Sequence, residues 1–251
     1  MKKTLLTILI ALCATFAWGQ NAETLAHQAD ELYRHGDYQA AAESYEAALA
    51  QGKTSADLHY NLGNAYYRLE QLGPAILHYE RALRLKPSMR DAKENLALAN
   101  SKTQDRITEL PRLFLVNWYN ALCSHITPRA WRIVWLLLLA LLSASMAAFI
   151  LARSIPLRKA TFTAAIVSAV LLLLASLLLL SSTNRFNSHH QAIVIQQAIS
   201  VRNSPEQQSP EKFILHEGTK VTITESLAGW DKITLADGTI GWCEANTIER
   251  I

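Results

Sequence analysis

Apolar residues follow three different patterns along the 251-residue chain. Uncharged apolar runs fill residues 5–17, 133–152 and 160–184. Between the first two runs, residues 22–104 place apolar side chains every three or four positions, which predicts amphipathic helices. After residue 190, short stretches rich in Val, Ile and Thr predict β-strands. The pattern therefore predicts a helical region, a membrane region and a β-region.

The helical region repeats with a period of 34 residues. Four positions recur at this spacing, so that Ala41, Tyr45, Ala48 and Leu49 return as Ala75, Tyr79, Ala82 and Leu83. Gly63 and Ala75 have little or no side chain, so two antiparallel helices can approach closely there. Pro87 is expected to end the second helix, because it lacks an N–H and clashes with the preceding turn. A third partial copy, Asn95-Leu96-Ala97, has no second helix, and residues 90–104 are predicted to cap the stack.

A 34-residue period with small residues at fixed offsets resembles the tetratricopeptide repeat. The resemblance covers residues 20–104, as two repeats and a capping helix. It implies stacked helix pairs that bind other proteins and have no catalytic chemistry of their own. A generic helical hairpin with an accidental period is the alternative.

In the repeat pattern, the first helix of each pair contributes to a concave face. The residues predicted to point to this face are Asp30, Tyr33, Tyr60, Asn64 and Tyr67. Tyrosine offers a large contact area with little entropy to lose, which favours a protein-binding surface. The alternative for Tyr67 is that it packs against the next helix. Ala26 stands where a carboxylate-clamp pattern has lysine, so an acidic C-terminal peptide is a poor candidate ligand.

Residues 1–19 have the organisation of a signal peptide. Lys2 and Lys3 precede the first apolar run, and Ala17-Trp18-Gly19 offers a small-x-small cleavage site. An uncleaved anchor is the alternative, but the run is short for a membrane span. Cleavage predicts that the repeats lie outside the cytoplasm.

The two later apolar runs predict membrane-spanning helices at residues 131–152 and 160–183. Each run approaches the about 20 residues needed to cross the hydrocarbon core. The connecting loop, residues 153–159, carries three basic residues and no acidic one. The positive-inside rule assigns this loop to the cytoplasm. The repeats and the β-region are then both expected on the periplasmic side of an inner membrane.

Residues 105–130 are predicted to form a juxtamembrane linker. Phe114, Trp118 and Leu122 follow one another at four-residue spacing, which indicates an amphipathic helix lying along the membrane surface. Packing of this helix against the repeats is an alternative that the sequence leaves open.

Residues 190–251 are expected to form about five strands around a small barrel. The predicted strands include Ala192–Ile195, Lys220–Thr224, Asp231–Leu235 and Thr239–Trp242. Asp237-Gly238 is a tight hairpin signal between the last two. Four segments resemble a bacterial SH3-type domain: residues 201–205, 217–221, 229–233 and 238–242. Such domains often accompany cell-wall peptidases, so peptidoglycan is a candidate ligand by this resemblance.

The order of signal peptide, repeats, two spans with a basic loop and a small barrel resembles BatE-type proteins of the Bacteroides aerotolerance operon. The resemblance includes Asp91-Ala92 and Asn95-Leu96 in the capping helix. Members of that family are thought to work beside von Willebrand A-type membrane proteins and a MoxR-type ATPase. The resemblance therefore implies a multiprotein envelope assembly.

Several classes of function lack support in the sequence. The net charge of +3 without a concentrated basic patch argues against a nucleic-acid partner. A phosphate-binding glycine loop and an HExxH motif are both missing, so no enzyme, cofactor or metal is expected. His189-His190 has no further ligands nearby in sequence. Cys123 and His125 are two residues apart and do not face each other on a helix. A disulfide between Cys123 and Cys243 is an alternative that no sequence feature supports.

The predicted fold class is a multidomain membrane protein with all-α tetratricopeptide repeats, a transmembrane helical hairpin and a small all-β SH3-like barrel. The expected function is a membrane-anchored periplasmic adaptor that binds proteins through its repeats. The rival is a cell-wall sensor in which the barrel binds peptidoglycan and the repeats support it.

Overall fold

The computed structural model describes residues 22–108, 110, 114, 128–187 and 190–251. These residues form two compact units. The first contains the residues up to Leu110 together with those after Ser188, and the second contains the residues between them.

The first unit begins with the predicted helical repeats. Its helices are α1 (22–34), α2 (Tyr38–Ala50), α3 (Ala56–Arg68), α4 (Leu72–Leu85) and α5 (Arg90–Lys102). Asp37 and Ser55 cap α2 and α3, because their side-chain oxygens accept hydrogen bonds from the first-turn amides of Ala40 and Leu58. The prediction of helical repeats is confirmed, and α5 follows the second helix pair at the position predicted for the capping helix.

Small residues set the spacing of the helices in the second pair. A Cβ atom on Gly63 would lie 2.8 Å from the ring of Tyr79 and 3.2 Å from the carbonyl oxygen of Ala75. Ala75 and Tyr79 are both fully buried. The predicted close approach of α3 and α4 at Gly63 therefore occurs.

Residues 190–251 form one antiparallel sheet with the strand order β3-β2-β6-β5-β4-β1-β7. The strands are β1 (Gln191–Val194), β2 (Ala198–Arg202), β3 (Glu211–His216), β4 (Lys220–Leu227), β5 (Trp230–Thr234), β6 (Ile240–Glu244) and β7 (Ile248–Arg250). All seven strands contribute to one apolar core. We call residues 190–251 the β-domain. An all-β, SH3-like domain is confirmed, with seven strands in place of the expected five or so.

The additional strands have weak signatures in the sequence. β3 begins with two charged residues, and β7 has only three residues after a short 3-10 turn at Ala245–Thr247. β2 overlaps the segment that resembled the opening of an SH3-type domain. β7 is too short to be recognised from its pattern, whereas Ala198–Arg202 alternates apolar and polar residues as a half-buried strand does.

The β-domain packs directly against α4. A mixed core contains Ile76, Leu77 and Tyr79 of the repeats together with Ile193 and Ile251 of the β-domain. We call this contact the α4–β-domain interface. It places the repeats and the SH3-like domain in one structural unit, although about 80 residues separate them along the chain.

The segment after α5 crosses the β-domain. Both carboxylate oxygens of Asp105 are bound there: Oδ2 accepts from the His216 amide (2.7 Å) and the Thr219 hydroxyl (2.6 Å), and Oδ1 lies 2.7 Å from His216 Nδ1. Ile107 packs on the β-domain core, and the Leu110 amide donates to the carbonyl of Ala236. The described start of the predicted juxtamembrane linker is thus part of the first unit.

The second unit contains two long apolar helices, α6 (Pro128–Leu151) and α7 (Ile155–Asn187). Their candidate spans are Arg129–Leu151 and Ile155–Thr183, and only 6% and 17% of their most apolar windows are buried. A core helix of a soluble protein would be mostly buried, so these exposed surfaces agree with the predicted membrane helices. The Trp135 indole N–H donates to Ser176 Oγ at 2.9 Å and links the two helices.

The connection between the two spans is shorter than the predicted loop at 153–159. α7 begins at Ile155, so Arg158 and Lys159 lie in its first turns and not in a loop. Pro156 is compatible with a helix that begins at Ile155, because a proline in the first turn has no N–H that needs a partner. The second span is accordingly longer than the predicted 160–183.

Some predictions fall outside the described residues. These are the signal peptide at 1–19, most of the amphipathic helix at 105–130, Cys123, His125 and His189. Cys243 is described, and its thiol is free and buried in the β-domain core.

Candidate protein-binding groove

Two adjoining depressions lie on the face formed by α1, α3 and α5. The first is lined by Asp30, Tyr33, Arg34, Tyr45, Asn61 and Asn64. The second is lined by Tyr33, Tyr60, Asn64, Tyr67, Arg68, Tyr79, Asn95 and Leu98. All five residues predicted from the sequence are among them, and Tyr33 and Asn64 line both. We call the combined surface the groove.

Asp30 organises the first depression. Its Oδ1 atom accepts hydrogen bonds from the Tyr45 hydroxyl at 2.5 Å and from Asn61 Nδ2 at 3.1 Å. Burial, with the neighbouring Asp30 carboxylate, raises the pKa of Tyr45 above its usual range. Tyr45 is therefore a neutral donor, and the second carboxylate oxygen of Asp30 is left to accept from a ligand.

Asn64 organises the second depression. Its Oδ1 atom accepts from the Tyr79 hydroxyl and from Asn95 Nδ2, both at 2.8 Å. Asn95 Nδ2 also lies 3.3 Å from the Tyr60 hydroxyl. These bonds use the oxygen of Asn64 and the amide nitrogen of Asn95. The remaining Asn64 N–H groups and the Asn95 oxygen can bind one donor and one acceptor, as a peptide unit presents.

Tyr33 and Tyr67 are the two predicted residues that form no side-chain hydrogen bond with any residue that the structure describes. The Tyr33 ring meets Tyr38 edge-on at 5.1 Å, and the Arg68 guanidinium lies 4.6 Å above Tyr38. The Lys102 ammonium lies 4.5 Å above the Tyr67 ring. Both tyrosines are half-buried. Aromatic rings with adjacent cations can bind apolar and acidic side chains.

The sequence missed several residues of this surface, notably Arg34, Arg68, Asn95 and Leu98. Asn95 had a visible signal, because it repeats Asn61 after 34 residues. In the sequence, this match indicated only the 34-residue period. The alternative role for Tyr67, packing against a neighbouring helix, also holds in part, since the residue borders the mixed core.

The groove has the chemistry of a binding surface. Within the described residues, no three His, Cys, Asp or Glu side chains are close enough to hold a metal ion. The polar groups of the groove are amides, phenols, the guanidinium groups of Arg34 and Arg68, and the Asp30 carboxylate, which accepts from neutral donors. Such groups can form hydrogen bonds and ion pairs with a bound polypeptide.

Comparison with known families agrees with this architecture. Residues 27–90 match the family described as "Tetratricopeptide repeat", and residues 198–249 match "Bacterial SH3 domain". Together the matches cover the groove-bearing helix pairs and most of the β-domain.

Two curated relatives match a short segment of this chain. Intraflagellar transport proteins 70A1 and 70B of Mus musculus are each 40% identical to this chain over 62 residues. That segment is 23% of this chain and 9% of each mouse protein. The family match to tetratricopeptide repeats supports protein–protein interaction.

Proposed function

We propose that this protein is a membrane-anchored scaffold whose groove binds a segment of a protein partner in an envelope assembly. The observation that carries the proposal is the convergence of Asp30, Tyr33, Tyr60, Asn64 and Tyr67 on one continuous surface. Unused amide groups beside exposed aromatic edges fit an extended polypeptide, because its backbone offers N–H and C=O groups at regular intervals.

Site-specific crosslinking tests the groove. A photoreactive residue at Tyr33 or Tyr67 of the full chain in native membranes should capture the same protein at both positions. A matched probe at Gln39, an exposed residue of α2 outside the groove lining, should not capture it. Equal capture at Gln39 would refute the groove as the binding surface.

A double variant gives the corresponding loss of function. Tyr33→Ala with Tyr67→Ala should reduce partner capture at least tenfold, because tyrosine anchors commonly contribute 1–2 kcal/mol or more each. Both rings also pack against buried clusters, so capture is compared at a temperature at which the variant and the wild type give the same helical circular dichroism signal. Asn64→Ala is unsuitable for this purpose, because it would leave the buried Tyr79 hydroxyl without its acceptor. Undiminished capture by the double variant would contradict the proposal.

We further propose that the groove and the β-domain lie in the periplasm, with the connection between α6 and α7 in the cytoplasm. Contact between repeats and β-domain supports their location on one side, and two spans return the chain to that side. Arg153, Arg158 and Lys159 favour a cytoplasmic position for the connection.

A reporter enzyme that is active only in the periplasm, fused after residue 251, tests this orientation. It should be active, whereas a fusion placed between α6 and α7 should be inactive. Thiol labelling of Cys243 is a poor substitute, because burial raises the pKa of that thiol to about 11. The opposite pattern of activities would contradict the orientation.

By resemblance to BatE-type proteins, we propose that the partner belongs to a system linked to aerotolerance. A von Willebrand A-type membrane protein is the candidate, and the Tyr33 and Tyr67 crosslinks would identify it by mass spectrometry. Crosslinks to unrelated envelope proteins alone would exclude this candidate while leaving the groove in place.

A second candidate function is peptidoglycan binding by the β-domain, favoured by its match to bacterial SH3 domains. The detergent-solubilised full chain should then sediment with purified sacculi, and the Tyr33→Ala, Tyr67→Ala variant should sediment equally well. Absence of the wild-type protein from the sacculus pellet would exclude this function.

A further inference from the structure

The β-domain supplies the N-terminal cap that α4 lacks. Gln71, at the cap position, makes no side-chain cap bond. Instead, the Gly73 amide in the first turn donates to Glu217 Oε2 of the β-domain at 3.2 Å. This amide has no acceptor within its own helix, so its protection from solvent depends on the docked β-domain.

The other end of the interface is held by Arg81. Its guanidinium donates to Glu249 Oε1 at 2.9 Å and to the carbonyl of Arg250 at 2.6 Å. Glu249 and Arg250 belong to β7, an edge strand of the sheet. Arg81 therefore ties α4 to an edge whose backbone carbonyls would otherwise face solvent.

Two buried imidazoles lie between α3 and α4, close to Arg81. His59 Nδ1 and His78 Nδ1 are 3.0 Å apart, and the side chains are 7% and 6% exposed. A hydrogen bond between these two nitrogens requires that one carries a proton and the other does not. The His78 ring also stacks on Tyr66 at 5.7 Å, and Thr54 Oγ1 lies 3.4 Å from His59 Nε2.

The charged groups around this histidine pair come from three elements. Arg81 acts from α4 and disfavours a charge on either ring. Glu46 of α2 accepts from the Tyr66 hydroxyl, with Glu43 of α2 also acting on Tyr66. Glu249 of β7 acts on Tyr66 from the β-domain. These carboxylates act on Tyr66, and Arg81 is the charged side chain that acts on both imidazoles.

We propose that the histidine pair is an acid-sensitive latch: protonation of His59 or His78 releases the β-domain from α4. A charged imidazole would repel the neighbouring Arg81, which follows His78 by three residues on α4. Protonation of both rings would also remove the Nδ1–Nδ1 bond, because both nitrogens would then be donors. Movement of Arg81 would remove its bonds to Glu249 and to the carbonyl of Arg250. The β-domain could then separate from the repeats while each keeps most of its own core.

The direction of the pH effect follows from linkage. Burial, then repulsion by Arg81, lowers the pKa of His59 to about 4. Burial, then His59 and Arg81, lowers the pKa of His78 to about 3. In the docked state both imidazoles are therefore neutral between about pH 6.5 and pH 4. A hydrated imidazole takes up a proton in this same range. Docking should weaken as the pH falls through this window, by at most about tenfold per pH unit for each imidazole.

His216 belongs to the β-domain and contacts the segment after α5. Its Nδ1 atom lies 2.7 Å from Asp105 Oδ1. Hydrogen bonds from His216 and Thr219 outweigh burial and hold the pKa of Asp105 below its usual range. Asp105 itself therefore stays ionised throughout the window in which the histidine pair would titrate.

Hydrogen exchange of the full chain in nanodiscs tests the latch at single-residue resolution. The protection factor of the Gly73 amide should fall about thirtyfold between pH 7.5 and pH 5.0 if one imidazole regains its ordinary pKa on undocking. The Ala40 amide is the matched control, because the side chain of Asp37 caps it in the first repeat. Its protection factor should stay constant.

Two variants assign the effect. His59→Asn with His78→Asn preserves a possible hydrogen bond near the Nδ1 positions and removes the titration, so Gly73 protection should become independent of pH. His216→Asn should retain the fall. A constant ratio of Gly73 to Ala40 protection in the wild type would overturn the proposal without any variant. An undiminished fall in the double-Asn variant would also overturn it.

Discussion

At the scale of single residues, the two repeats have different residues at the same helix–helix contact. Gly63 of the second repeat corresponds to Ala29 of the first, 34 residues earlier, and both are fully enclosed. A methyl group is accepted at position 29, whereas at Gly63 it would lie 2.8 Å from the Tyr79 ring. Tyr79 cannot move easily, because its hydroxyl bonds Asn64 in the groove.

Gly63→Ala should destabilise the repeats although alanine is the better helix former. Overpacking typically costs about 1–3 kcal/mol, against a gain of up to about 1 kcal/mol in helix propensity. Urea unfolding followed by the helical circular dichroism signal should show a lower midpoint. Ala29→Gly is the comparison, and it should also destabilise by about 1 kcal/mol. An unchanged or higher midpoint for Gly63→Ala would mean that the second pair can adopt the spacing of the first.

The groove residues show what the repeat pattern can and cannot predict. The positions follow from the pattern, because residues 34 apart occupy equivalent places, as Tyr33 and Tyr67 do. Their bonding does not follow, since it depends on side chains from three helices. Replacement of Asn64 is expected to reduce stability, because its Oδ1 atom accepts hydrogen bonds from both Tyr79 and Asn95.

At the scale of elements, the helices and membrane spans were predictable because each has a strong local pattern. The contact of α4 with β1 and β7 was not, since its residues are far apart in sequence and have no common motif. Gly73 illustrates this point. In the sequence it looks like a weak helix residue, but in the structure it allows the backbone of β1 to approach α4.

Gly73→Ala should separate the β-domain from α4 and leave the helix pair intact. The new Cβ would lie 2.8 Å from the Val194 carbonyl oxygen and 3.2 Å from Ile195 Cα, and backbone atoms cannot move aside cheaply. Overpacking of about 1–3 kcal/mol would lower the docking equilibrium constant by about 5- to 150-fold.

A zero-length carbodiimide crosslink measures this docking directly. Lys220 Nζ lies 2.7 Å from Glu80 Oε1 across the interface, and its amide crosslink should become much weaker in Gly73→Ala. Lys232 and Glu225, 3.4 Å apart within the β-domain, provide the internal reference. A constant ratio of the two crosslinks would show that α4 and β1 tolerate the added methyl group.

At the scale of the whole molecule, one apolar core joins the groove to the β-domain. Tyr60 and Tyr67 border the same cluster that contains Ile193 and Ile251. Repeats and β-domain should therefore unfold together, because removing either exposes the buried apolar surface of the other. This coupling also gives a route by which a partner in the groove and a ligand of the β-domain can affect each other.

Ile193→Ala should convert this joint unfolding into two separate transitions. Ile193 is fully buried on the repeat-facing side of β1, and truncation of such a side chain typically costs about 2–5 kcal/mol. Hydrogen exchange in increasing urea should show that amides of α3 and α4 and amides of β2 and β6 open together in the wild type. In the variant the two sets should open at different urea concentrations.

Ile199→Ala is the matched control, because Ile199 is buried within the β-domain core alone. This variant should lower the free energy of unfolding by weakening the β-domain core. The β-domain should remain docked on α4 at low urea concentrations. Separate opening of the two amide sets in the wild type would contradict the shared core as a source of cooperativity.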